Sequence, residues 1–146
     1  MYIKVKNGQP ASFPYNLGQL KKDNPGTSFP ETLSEESLAG FDIYPVTPTP
    51  APECDSKTHR HIAGVENKGG VWVQTWQIQP LPEQQAADNI RAERNRRLAD
   101  CDWTQLVDSP LNADAKLAWA LYRETLRMIP QQAGFPYSVQ WPPMPQ

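Results

Sequence analysis

The apolar positions along the chain change period once, near residue 80. Residues Tyr2 to Lys6 alternate after Tyr2, as in a half-buried strand, and Asn7-Gly8 is a turn signal. Pro14, Pro25 and Pro30 break any long element over residues 13–31. Between them Asn16 caps a short helix Leu17–Lys22, with Gln19 at the reciprocal capping position. Ser34 caps a second short helix, Glu35–Ala39, which ends at Gly40 as a left-handed stop, with Leu38 and Phe41 buried. Asp42–Val46 reads as an edge strand. Pro48, Pro50 and Pro52 then favour an extended polyproline strap. The clearest hairpin is Lys57–Glu66, a turn at Asn67-Lys68-Gly69-Gly70, and Val71–Gln79. Its second arm puts Trp72, Gln74, Trp76 and Ile78 on one face.

Beyond Pro80 and Pro82 the period becomes helical. Residues 83–102 hold no Gly or Pro, and Glu83 suits the positive end of a helix dipole. Ala87, Ile90, Leu98 and Cys101 form a narrow apolar stripe with Arg94 in its gap. After Trp103 and a loop at Asp108-Ser109-Pro110, Asn112 caps a second helix, Ala113–Ile129, ended by Pro130. Its apolar face is assigned to Leu117, Ala118, Leu121, Tyr122, Thr125 and Ile129, flanked by Trp119 and Leu126. In the tail, Phe135, Tyr137, Val139 and Trp141 alternate. The pattern predicts an α+β protein. A small β-rich unit with short helices and a hairpin occupies residues 1–80; an antiparallel αα-hairpin with an extended Pro/aromatic C-terminal strap occupies residues 81–146.

Composition narrows the options. Sixteen prolines in 146 residues are about twice the usual share of roughly 5%, which excludes a continuous bundle and disfavours a doubly wound enzyme fold. Fourteen basic against sixteen acidic residues leave a net charge of −2, without the basic surplus of a nucleic-acid binder. No apolar run is long enough to span a membrane, and MYIKVKNGQP lacks the apolar core of a signal peptide. Two cysteines make no disulfide framework. Synthesis in a reduced cytoplasm follows as the expectation.

No catalytic motif reaches recognition. Cys54, His59 and His61 supply three ligands at most, with Asp55 as the missing fourth, and their expected role is that of solvent-facing polar residues. Cys101 continues an apolar stripe far from either histidine, the position of a buried structural thiol. No metal or cofactor is expected. The arginines Arg91, Arg94, Arg96 and Arg97 interleave with acids, as in ordinary helix-surface ion pairs, and any surplus fork suits the carboxylates of a protein partner. Trp141 has two open roles: packing on its own helices or inserting into a partner.

Residues 90–142 carry IRAERNRRLADCDWTQL, KLAWALYRETLRMIP and GFPYSVQWPPMP. Arg91, Arg94, Leu98, Cys101, Asp102, Trp103 and Thr104 fit R-x-x-R-x-x-x-L-x-x-[CST]-D-W-T. Trp119, Tyr122, Arg123, Leu126, Arg127, Ile129 and Pro130 fit W-x-x-Y-R-x-x-L-R-x-[IL]-P, and Trp141-Pro142 closes the pattern. This stretch resembles the phage tail assembly chaperone family. Tyr44–Val46 and Gly70–Ile78 are similar to the leader that often precedes this module in phage proteins.

The resemblance implies a non-enzymatic phage tail protein, a structural or adaptor component at the tail-fibre or baseplate region within a multi-subunit complex. The alternative is a transient fibre-assembly chaperone absent from the mature particle. The rival from another class is a metal- or thiol-dependent enzyme. The expected location is the virion tail, after synthesis in the host cytoplasm, with no nucleic-acid or membrane partner. Leu98, Cys101, Asp102, Trp103, Trp119, Tyr122 and Arg123 are the expected structural motif, in which Trp103, Trp119 and Tyr122 join the helices and Arg123 pairs with Asp102 or a partner. Arg91, Arg94, Phe135, Tyr137 and Trp141 are the expected partner surface.

Overall fold

Alternating apolar positions and tight turns build the first part of the chain, seen in a computed structural model that describes residues 1–145. The chain divides into two compact units: residues 1–53 with 61–78, and residues 54–60 with 79 onward.

The first unit is organised on a sheet. Its strands are β1 (Tyr2–Lys6), β2 (Gln9–Tyr15), β3 (Ile43–Thr47), β4 (His59–Lys68) and β5 (Val71–Pro80), and their order is β2-β1-β3-β5-β4. β1 pairs antiparallel with β2 and β3, whereas β3 pairs parallel with β5. The sequence reading missed β2 because Pro10 and Pro14 argue against a strand. They are tolerated because β2 is a sheet edge, where a missing N–H costs no ladder bond.

β3 is central, not the edge strand expected from its proline. Val46 N–H donates to Met1 O, so the N of Pro45 faces the opposite side. There the register with β5 begins only at Val46↔Trp72, and no hydrogen bond is lost.

The β4–β5 turn is two residues, shorter than the expected four. Gly69 and Gly70 both have positive φ (61° and 92°), the conformation such a turn demands, and Gly70 N–H donates to Asn67 Oδ1.

Two apolar clusters cover the sheet. Ile3, Val5, Val46 and Trp72 form one. Tyr15, Leu20, Leu38 and Ile43 form the other, closed by α1 (Leu17–Asp23) and α2 (Glu35–Ala39). Both helices have the expected caps, Asn16 with its reciprocal Gln19 and Ser34. Gly40 is right-handed (φ −61°) rather than left-handed; its N–H still closes onto Glu36 O, and the positive φ falls on Asp42. Ile78 is exposed, unlike Trp72 and Gln74, which alternate on its face.

The second unit begins with the segment before β4. Leu81 N–H donates to Thr58 O, and Asn89 Nδ2 donates to Lys57 O. α3 (Glu83–Asp100) ends two residues short of the expected boundary, because Asp102–Gln105 tightens into a 3₁₀ turn. Thr104 Oγ donates to Cys101 O inside that turn. α4 (Ala113–Met128) starts where Asn112 Oδ1 accepts Ala115 N–H. After a 3₁₀ turn at Ile129–Gln131, residues 133–137 are in turns rather than in the expected extended strap, and residues 139–145 have no regular structure. Gly134 is required there by space, since a Cβ at this position would collide with Ser138 O.

Candidate partner-binding site

The motif residues converge where α3 ends against α4. α4 buries Trp119, Tyr122, Arg123, Leu126 and, just beyond it, Ile129, a spacing of three and four residues. The face expected from the sequence is rotated relative to this one. Leu117 is 71% and Leu121 67% exposed, and Ala118 is exposed too. Arg123 interrupts the true buried stripe, which made the adjacent, uncharged stripe the better-looking core.

Burying Arg123 is possible because both terminal nitrogens are occupied, while Nε is buried without a hydrogen-bond partner. Nη1 donates to Leu98 O (2.7 Å) and lies 3.1 Å from Cys101 Sγ; Nη2 meets Asp102 Oδ1 at 2.7 Å. Burial alone would lower its pKa, but bonding to Asp102 and Cys101 outweighs this and holds it above the ordinary value. Leu98 O, among the last carbonyls of α3, otherwise meets only the N–H and the thiol of Cys101, both at 3.3 Å, so Arg123 adds the shortest hydrogen bond to that helix end. The buried Cys101 thiol bonds to Arg97 O and Leu98 O. Cys101, Trp119, Tyr122 and Leu126 form the core here, with Leu98, Leu111 and Trp141 packed on it. Trp119 stacks edge-on against Tyr122 (5.6 Å) and tilted against Trp103 (6.2 Å). Trp103 is 46% exposed, a cover on this core rather than a member of it.

The residues expected at a partner surface are partly engaged within the unit. The Arg91 guanidinium lies 5.3 Å from the Phe135 ring centre and 3.2 Å from Asp88. Arg94 bonds the Asn95 side chain. Arg97, not Arg94, stacks on Trp141 at 4.3 Å. Tyr137 O–H donates to Leu81 O, yet its ring remains exposed beside His59.

Gln132, which the sequence reading passed over, pins the strap. Its amide accepts from Gln140 N–H (2.7 Å) and donates to Gln140 O (2.9 Å), as a neighbouring strand would. Between α4 and the pinned strap runs a groove of about 530 Å³ lined by Leu121, Tyr122, Thr125, Trp141, Pro142 and Pro143. The only sequence signal for it was the glutamine pair flanking the Gly134 turn.

Glu93 is the electrostatic centre of α3. Arg96 and then Arg97 hydrogen-bond its carboxylate and hold its pKa at about 2, against an ordinary 4.5. A carboxylate lowered on folding stabilises fully above its unfolded pKa and loses that contribution as pH falls. Stability should therefore decline between pH 4.5 and about 2, and Glu93→Gln should lose that part of the acid dependence. Urea midpoints of both proteins at pH 7 and pH 3 test this: an equal acid loss in the two would refute it.

Among the described residues, no three His, Cys, Asp or Glu side chains gather to hold a metal ion. His59 hydrogen-bonds Thr58 Oγ, and His61 Nε2 lies 2.6 Å from Pro52 O. No helix among the described residues is long and apolar enough to cross a membrane.

The site thus consists of apolar and aromatic surface beside guanidinium groups, the chemistry of protein–protein contact. Residues 87–146 match the family model described as phage tail assembly chaperone protein. The motifs that carry the resemblance, from Arg91 to Pro142, lie within this span. No curated protein and no solved structure matches the chain.

Proposed function

We propose that this is a non-enzymatic phage tail protein that acts by binding other tail proteins at the tail-fibre or baseplate region. The observation that carries this reading is the family match over residues 87–146, the same residues that expose Leu117, Leu121, Trp103, Leu106 and Val107. Exposed apolar side chains in such number mark a surface that is covered in use. The partner surface combines the Leu121–Trp141 groove with the ring of Tyr137, beside Arg91 and Arg94. The two carbonyls and the guanidinium that enclose Cys101 support its reading as a structural thiol rather than a nucleophile.

Two versions of this role differ in where the protein ends up. A structural or adaptor subunit stays in the virion tail. A transient chaperone leaves before the particle matures. Quantitative mass spectrometry of purified virions and of tail-assembly intermediates separates them. Fixed stoichiometry in virions supports the subunit, and presence in intermediates alone supports the chaperone. Absence from both rejects the tail reading.

A further inference from the structure

The groove beside Trp141 restricts what can fill it. One wall is α4, through Leu121, Tyr122 and Thr125; the other is the strap, through Trp141, Pro142 and Pro143. No Asp, Glu, Lys or Arg lines it. Leu121 and Pro143 are exposed, and Arg97 covers one face of the Trp141 ring, which stays only half-buried.

Two side-chain donors in these walls are unused. Among the described residues neither the Tyr122 O–H nor the Trp141 Nε1–H meets an acceptor, and neither atom is enclosed. The strap backbone, in contrast, has little to offer a strand. Pro142, Pro143 and Pro145 carry no N–H, and both backbone groups of Gln140 are held by the Gln132 amide.

We infer that the groove takes a proline-rich segment of the partner in the polyproline II conformation. The other forms of peptide fit the walls less well. An added strand needs a ladder edge, which the strap lacks. A helix keeps its carbonyls in its own bonds and brings nothing to the two donors. A polyproline II segment has no internal hydrogen bonds, so its carbonyls are available to Tyr122 and Trp141, and its prolines bring no N–H that needs an acceptor. Its rings pack on aromatic, leucine and proline surface, and its stiffness lowers the ordering cost of docking. An uncharged ligand also matches an uncharged groove. The inference rests on the reading of this groove as the partner surface.

The test is a titration of the full, isotope-labelled chain with decaproline, and with a Gly-Ser peptide of equal length, followed by the amide and indole resonances. Decaproline should shift the Trp141 indole and the Leu121 and Thr125 amides saturably, and the Gly-Ser peptide should not. Leu121→Asp, at an exposed position that the core does not use, should abolish the response. Trp141→Phe keeps a ring without the donor and should weaken binding about tenfold. An equal response to both peptides overturns the inference, as does a decaproline response that Leu121→Asp leaves intact. Tail assembly by phage carrying Leu121→Asp is read alongside. Defective tails with no decaproline response in the wild-type protein would keep the groove as the partner surface and discard the polyproline ligand. Normal tails with no such response would discard both.

Discussion

Arg123→Ala is expected to destabilise the second unit by about 3–4 kcal/mol. The loss has two sources. Leu98 O, at the end of α3, loses its closest donor and keeps only the longer contacts from Cys101, and the packed stem of the arginine is replaced by a void. The ion pair contributes little, because Asp102 is 66% exposed and solvent screens it. Asp102→Asn should therefore cost less than about 1 kcal/mol. Arg123→Met separates the two larger sources: methionine refills the space but brings no donor to Leu98 O, so it should recover only part of the loss. Urea denaturation of the three variants decides the matter. An Asp102→Asn effect equal to that of Arg123→Ala would show that the salt bridge, not the helix cap, is the main contribution.

Trp119→Ala should cost about 3–5 kcal/mol, the usual range for truncating a buried aromatic. Trp119 touches both Trp103 and Tyr122 and belongs to the same cluster as Cys101 and Leu126, so its removal opens a cavity where α3 ends against α4. Trp103→Ala, at a half-exposed ring, should cost no more than about 1.5 kcal/mol. The order of the two denaturation midpoints is the check. If Trp103→Ala proved the more damaging, the tryptophan of the 3₁₀ turn would be the true anchor.

The proposed partner contact depends on what the arginine leaves outside. By taking Arg123 into the core, α4 turns Leu117 and Leu121 to solvent, and Leu121 lines the Trp141 groove. A helix that buried its most apolar stripe would have no such surface to offer.

The elements with local causes were legible in the sequence. Asn16, Ser34 and Asn112 satisfy N–H groups within three residues of themselves, so their helix starts could be read directly. The glycine pair at residues 69–70 marked its hairpin for the same reason, because positive φ is a property of single residues. The arginine and tryptophan motifs carried the family resemblance, and the mixture of helix and strand followed from the change of period.

Only the tertiary structure decided which neighbours those elements meet. Pro45 looked like an edge residue until the side on which its N lies was known, and Pro10 and Pro14 hid a strand that only its edge position permits. The buried face of α4 was read wrongly because hydrophobicity assigns arginine to water. Arg123 is buried because three acceptors, Leu98 O, Cys101 Sγ and Asp102, surround it from residues more than twenty positions away in the chain. Periodicity records which side chains avoid water; it holds no record of a distant carbonyl that makes burying a charge favourable.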